Sequence, residues 1–275
     1  MDPRFSQLPK SLQAKSQSMT LGDGVPSLVV HSDWEKGTSS PIPAVIWMHG
    51  RTVNKELDSG RYSRWVRSGI GAVAIDLPGH GARYNQEYMQ PDRTLDLIEQ
   101  ASSEIDGVLN SMRALGVFDM SRLAIGGMSA GGMVTLNRLC RPHPFLGTVI
   151  EGTTGNLHEL YFPSNENPGR KWPVDHQPKD VAKVDPMGHL DEFRPLPLLA
   201  IHNEGDRVVP IGTQRLFLDK LKAHYKSRDH DPEQIELITF KETGAPEEHA
   251  GFGRFANDAK NIQLAFLKRL FRMDA

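Results

Sequence analysis

Residues 122–132 read RLAIGGMSAGG. Leu123–Ile125 is a short apolar run that ends at two glycines, the pattern of a strand. Gly127-Met128-Ser129-Ala130-Gly131 follows at once, and the stretch from there towards Arg141 reads as a helix that stops before Pro142. G-x-S-x-G between a strand and a helix is a tight turn with the serine at its tip. Side chains two residues either side of that serine would collide, which accounts for both glycines. The turn lifts the Ser129 hydroxyl above the sheet edge. It also aims the Ala130 amide and the helix N-terminus at any oxyanion formed there. The bland alternative is a glycine-rich turn with an incidental serine. Phosphate loops fail on inspection. No Lys-Ser or Lys-Thr follows Gly131. Gly69-Ile70-Gly71-Ala72-Val73-Ala74 has the letters of a dinucleotide fingerprint but leads into a strand, not out of one.

Working outward, apolar runs at Val25–Val30, Ala44–Met48, Ala72–Ile75, Thr148–Ile150, Leu198–Ile201 and Ile235–Phe240 join Leu123–Ile125 as expected strands. Several are uninterrupted and not alternating, the mark of a parallel sheet covered on both faces. Helical spacing is clearest over 94–115, with Gly116 as its stop, and recurs at Phe255, Ala259, Ile262, Phe266 and Leu270. Strands alternating with helices predict an α/β layered fold. Residues 152–195 carry Pro163, Pro168, Pro173, Pro178 and Pro186 with no long periodic run. They read as a cap or lid excursion from a single domain over 19–275, with 1–18 a polar lead-in.

A serine hydroxyl needs a base, and the base needs an acid to hold one tautomer. His249 falls between the last expected strand and the terminal helix, at the sheet edge where Ser129 sits. After Leu198–Ile201 comes HNEGDRVVP, with Asp206 at the loop tip. The order Ser129, Asp206, His249 is that of a triad on such a sheet. Asp206 could instead cap the helix after Pro210, and Glu204 is the rival acid. The strand ending at Met48 runs into His49-Gly50-Arg51-Thr52. A glycine there lets the backbone turn over the serine, so the Arg51 amide pairs with that of Ala130 as the second oxyanion donor. The Arg51 side chain reaches either substrate or solvent, and His49 reads as a structural hydrogen-bonder.

Composition narrows the class. The 275 residues are 38% hydrophobic, with 32 basic against 34 acidic side chains and one cysteine. That balance leaves no net basic charge to drive phosphate-backbone binding, so nucleic acid is not an expected partner. Cys140 alone can form neither an internal disulfide nor a cysteine zinc cluster. The N-terminus lacks an apolar signal region, and no apolar run nears the ~20 residues of a membrane span. A cytoplasmic protein is the expectation. His158, His176 and His189 lie in the cap without helical ligand spacing, so no metal is assigned.

Four stretches carry a family resemblance: MHGRT at 48–52, DLPGHG at 76–81, GMSAGG at 127–132, and HNEGDRVVP at 202–210 followed by His249. Together the chain resembles the α/β-hydrolase superfamily. Within it, HGRTVNKE, Asp185-Pro186 and the Pro195–Pro197 run are similar to dienelactone-hydrolase-like and prolyl-oligopeptidase-like serine esterases. The resemblance implies a mostly parallel eight-stranded sheet flanked by helices, a small cap after the sixth strand, and hydrolysis of small or short-chain esters without a cofactor. An eighth strand is then expected between residues 15 and 24. There are departures. Ser129 stands where dienelactone hydrolases proper have cysteine. Asn203 replaces the usual glycine after His202, and Glu248 precedes His249 where glycine is frequent.

Tyr161, Phe162, Trp172 and Met187, with Leu160, are the large apolar groups of the cap. They either contact substrate or fasten the cap to the body. Thioesterase, acyltransferase, peptidase and carbon–carbon hydrolase chemistry can run on the same triad. A peptidase of this kind usually carries a large extra domain, for which 275 residues leave no room. A binding protein on a dead hydrolase fold is the rival of a different class. Oligomeric state is not written in the sequence.

Overall fold

The computed structural model describes residues 3–34, 40–164, 172 and 174–273. Its strands are β1 (Ser16–Leu21), β2 (Val25–Val30), β3 (Ile42–Met48), β4 (Gly71–Ile75), β5 (Phe118–Met128), β6 (Gly147–Glu151), β7 (Leu198–Asn203) and β8 (Ile235–Phe240). The helices are α1 (Lys10–Gln13), α2 (Ser59–Arg67), α3 (Thr94–Leu115), α4 (Ala130–Leu139), α5 (Leu157–Tyr161), α6 (Pro178–Val184), α7 (Ile211–Ser227) and α8 (Ala256–Leu270). The described strands form one sheet in the order β1-β2-β4-β3-β5-β6-β7-β8. β1–β2 and β2–β4 are antiparallel, and every pairing from β4–β3 to β7–β8 is parallel. This is the α/β-hydrolase fold.

Continuous apolar strands bury both faces. In β3, Ala44, Ile46 and Met48 face one core while Val45 and Trp47 face the other. The first core is closed by α3, α4 and α7 through Ile98, Ile105, Met112, Val134, Leu136, Phe217 and Leu221. The second is closed by α1, α2 and α8 through Leu12, Tyr62, Trp65, Phe266 and Leu267. At roughly 1.5–3 kcal/mol for each buried large side chain, these layers dominate the stabilisation.

The register aligns the carboxyl ends of the strands. Met48 pairs with Gly127, Met128 with Glu151, Glu151 with Ile201, and Asn203 with Phe240. The loops after β3, β5, β6, β7 and β8 therefore leave from one edge, where ligands bind in open α/β sheets.

Three local features differ from the sequence reading. β1 lies where the eighth strand was expected, between residues 15 and 24, but it begins at Ser16, inside the expected lead-in, and Leu8 and Leu12 of that lead-in are buried in the second core. The excursion over 152–195, read as lacking regular structure, contains α5, α6 and a 3-10 turn at Pro186–Glu192. Residues 165–171 and 173 of that cap lie outside the described residues. α2 was not anticipated at all. Among the described residues no helix is long and apolar enough to cross a membrane.

Candidate active site

The turn after β5 shows why its glycines are needed. A Cβ on Gly131 would lie 2.3 Å from the Met48 carbonyl oxygen, and one on Gly127 would lie 2.5 Å from that of Gly131. With the backbone packed this closely, Ser129 is held at φ 52°, ψ −119°, a region that non-glycine residues seldom occupy. Its amide donates to the Glu151 carbonyl at 2.9 Å, and its carbonyl accepts from Thr153 Oγ1 at 2.8 Å. The side chain stands above the sheet edge at the start of α4.

His249 follows a 3-10 turn between β8 and α8. Its Nε2 lies 2.9 Å from Ser129 Oγ, and its Nδ1 lies 2.7 Å from Asp206 Oδ2. The Asp206 carboxylate is inaccessible, and its other oxygen accepts from the Val208 and Val209 amides at 2.8 Å each. Nδ1 therefore carries the proton shared with Asp206, leaving Nε2 free to take one from the serine hydroxyl. Three residues separated by 120 and 43 positions meet in one hydrogen-bonded row.

The rival acid points elsewhere. Glu204 Oε1 accepts from Thr239 Oγ1 at 3.0 Å, and its carboxylate pairs with Lys241 at 3.3 Å and Arg215 at 3.5 Å. Helix capping is not Asp206's position either, since Pro210 opens α7. His202 lies under the acid: Nε2 donates to Val209 O at 2.9 Å and sits 3.5 Å from Asp206 Oδ2. Burial lowers its pKa, so it stays neutral beside the carboxylate.

Beside the serine, a Cβ on Gly50 would lie 3.4 Å from Ser129 Cβ. The buried His49 donates from Nδ1 to the Gly50 carbonyl at 2.6 Å, and its Nε2 accepts from the Leu77 amide at 3.1 Å. A trans peptide opposes its C=O and N–H, so the Arg51 amide is turned away from His49. Among the described residues, neither the Arg51 N–H nor the Ala130 N–H donates to a protein acceptor. The Arg51 side chain is held against the protein itself. It is pinned to Thr94 Oγ1 and to the carbonyls of Tyr88 at 3.2 Å, Met89 at 2.7 Å and Gln90 at 3.0 Å.

Tyr161, Phe162, Trp172 and Met187 all pack, half-buried, against the first core. Tyr161 meets Trp172 at 5.5 Å and His176 edge-on at 4.7 Å between ring centres. Burial pushes the Tyr161 hydroxyl up to about 12, opposed by Thr94 and Arg51 beside it. The cap aromatics thus fasten the excursion to the body, next to the Arg51 anchor. Glu151 and Arg61, which no motif marks, form a buried pair beneath the elbow. Arg61 donates to both Glu151 carboxylate oxygens at 2.8 and 2.7 Å and lies 4.0 Å over the Trp47 ring.

The sequence profile of the prolyl oligopeptidase family matches residues 59–274. The chain belongs to that family. It is 26% identical over 239 residues to YitV of Bacillus subtilis (strain 168), named as an esterase, covering 82% of this chain and 90% of that one. It is 25% identical over 201 residues to Esterase YjfP of Escherichia coli (strain K12), covering 70% of this chain and 79% of that one. Among solved structures, a Mycobacterium tuberculosis puromycin-hydrolyzing peptidase superposes with TM-score 0.72 at 18% identity. That match covers 96% of this chain but 40% of the peptidase. Family membership and esterase-named relatives make the chain a hydrolase of the α/β-hydrolase clan.

Proposed function

We propose that the chain is a serine carboxylesterase for small or short-chain acyl esters. The observation that carries this is the row Ser129–His249–Asp206 at 2.9 and 2.7 Å on a strained elbow. Ser129 Oγ attacks the acyl carbonyl as His249 Nε2 takes its proton. Asp206 orients the ring and stabilises its charged form. The Arg51 and Ala130 amides receive the oxyanion, each such donor being worth ~2.7–4 kcal/mol in the transition state. His249 returns its proton to the leaving alkoxide, then activates water to hydrolyse the acyl-enzyme.

The esterase-named relatives are matched over 90% and 79% of their lengths, which favours esters as substrates. The second reading is an amidase or peptidase, favoured by the family to which the chain belongs. The test is hydrolysis of a short-chain aryl ester, the corresponding thioester and an aminoacyl amide by wild type and Ser129→Ala. Ester turnover is expected to fall by about 10³-fold or more in the variant. Equal rates in both would overturn the assignment, and faster amide than ester turnover would favour the second reading.

A further inference from the structure

The two departures at Asn203 and Glu248 converge on one loop. Asn203 is the last residue of β7 and 2% exposed. Its Nδ2 donates to the Glu248 carbonyl at 2.6 Å and to the Gly251 carbonyl at 2.9 Å, on either side of His249. Its own carbonyl accepts from the Asp206 amide at 3.2 Å. One residue therefore holds the loop of the acid through its backbone and the loop of the base through its side chain.

Glu248 acts on the same loop. Its carboxylate accepts from Thr243 N, Thr243 Oγ1 and Gly244 N, each at 2.8 Å. Those bonds hold its pKa below the usual range, so it is ionised at neutral pH. Glu247 and Glu248 have φ of 53° and 49°, left-handed values that cost a non-glycine residue energy unless its surroundings impose them. Arg207 adds a further tie, its amide donating to the Glu247 carbonyl at 3.0 Å. A glycine before the histidine would take this conformation freely. Here side-chain and main-chain hydrogen bonds together impose the conformation.

Resting on the serine-hydrolase reading, we infer that Asn203 and Glu248 are positioning residues that together set His249 against Ser129 and Asp206. Neither touches the reacting atoms. Both act through the backbone of the histidine loop, and a displacement of about 1 Å there is enough to cost some 10²-fold in rate.

The test compares wild type with Asn203→Ala, Asn203→Asp and Glu248→Gln on a short-chain aryl ester. Rates are normalised to the fraction of Ser129 labelled to completion by a fluorophosphonate. Asn203→Ala is expected to lower kcat per labelled site by about 10–100-fold with KM within about twofold. Asn203→Asp, which turns the donor into an acceptor facing two carbonyls, is expected to lose at least as much. Glu248→Gln keeps one acceptor oxygen and is expected to lose less. A merely structural role would lower the labelled fraction and the melting temperature with kcat per site unchanged, and that result overturns the inference. If Asn203→Ala does not fold, Glu248→Gln and Asn203→Asp carry the same comparison. Should Ser129→Ala retain activity, the hydrolase reading falls. Should Ser129 prove essential while these variants match wild type, only this inference falls.

Discussion

Ser129 and His249 are presented by two loops that are restrained in different ways. The elbow is held by backbone sterics: Gly127 and Gly131 lie so close to β3 and to each other that no Cβ fits. The histidine loop keeps left-handed, non-glycine residues at 247 and 248, fixed by the Asn203 amide and the Glu248 carboxylate. Steric restraint leaves no room for a Cβ at either glycine unless the backbone shifts. Hydrogen-bond restraint is assembled from residues far apart and can be removed bond by bond. Perturbing the elbow should therefore cost stability and activity together, whereas perturbing the histidine loop should cost rate beyond any loss of stability.

The largest effect is expected under the elbow. Glu151 accepts from the Ser129 amide, and its buried carboxylate is matched by Arg61, which Gln263 also contacts at 2.5 Å. Arg61→Met leaves that carboxylate without its cation, at a cost of about 3–5 kcal/mol. The melting temperature should fall by roughly 10 °C, read by circular dichroism. Arg61→Met with Glu151→Met, which removes both charges, should recover much of the loss. A melting temperature unchanged in the single variant would mean that the glycines alone hold the elbow.

Gly131→Ala comes next. Its methyl would enter the space of the Met48 and His49 carbonyls at 2.3 and 2.6 Å. Overpacking of this kind costs about 1–3 kcal/mol, or a few degrees in melting temperature. Because the displaced backbone carries the serine, kcat per folded molecule should fall as well. Full activity at a lowered melting temperature would show that the elbow can shift without disturbing Ser129.

The same contrast explains what could be read from the sequence. The elbow was legible because five consecutive residues satisfy its sterics. β2 and β8 were legible to the residue, as was α3, because apolar runs and helical spacing mark elements buried on one or both faces. β5 extends back to Phe118, beyond the apolar run, through Asp119, Ser121 and Arg122, which the periodicity does not mark as strand. α2 was invisible because its buried face includes Arg61, whose partner Glu151 lies 90 residues away. The cap helices, of five and seven residues, are too short to leave a period. α5 is also held by Asp185, whose carboxylate accepts from the Leu157 and His158 amides 28 and 27 residues earlier. Spacing alone could not choose between Glu204 and Asp206, two residues apart on one loop. Thr239 and Lys241 draw Glu204 outward, while Asp206 faces His249.

A third loop, bearing Gly50 and Arg51, combines both kinds of restraint, and its weak point is protonation. His49 is neutral because burial lowers its pKa to about 4, although Asp76 opposes the shift. It faces Asp76 Oδ1 at 3.7 Å and the His80 ring at 5.4 Å, with Lys55 paired to the same Asp76 at 2.8 Å. A proton on Nε2 would meet the Leu77 amide, a donor, and break the bond that steadies the loop. In the unfolded chain the same imidazole titrates near its ordinary value of 6.5. Its contribution to stability is thus complete above about pH 6.5 and is lost as pH falls through about 4. The melting temperature of wild type should decline across that window, and the decline should be shallower in His49→Asn, which removes this titration. Parallel curves for the two proteins would show that the acid sensitivity arises elsewhere and that the Gly50 carbonyl is held without help from a neutral His49.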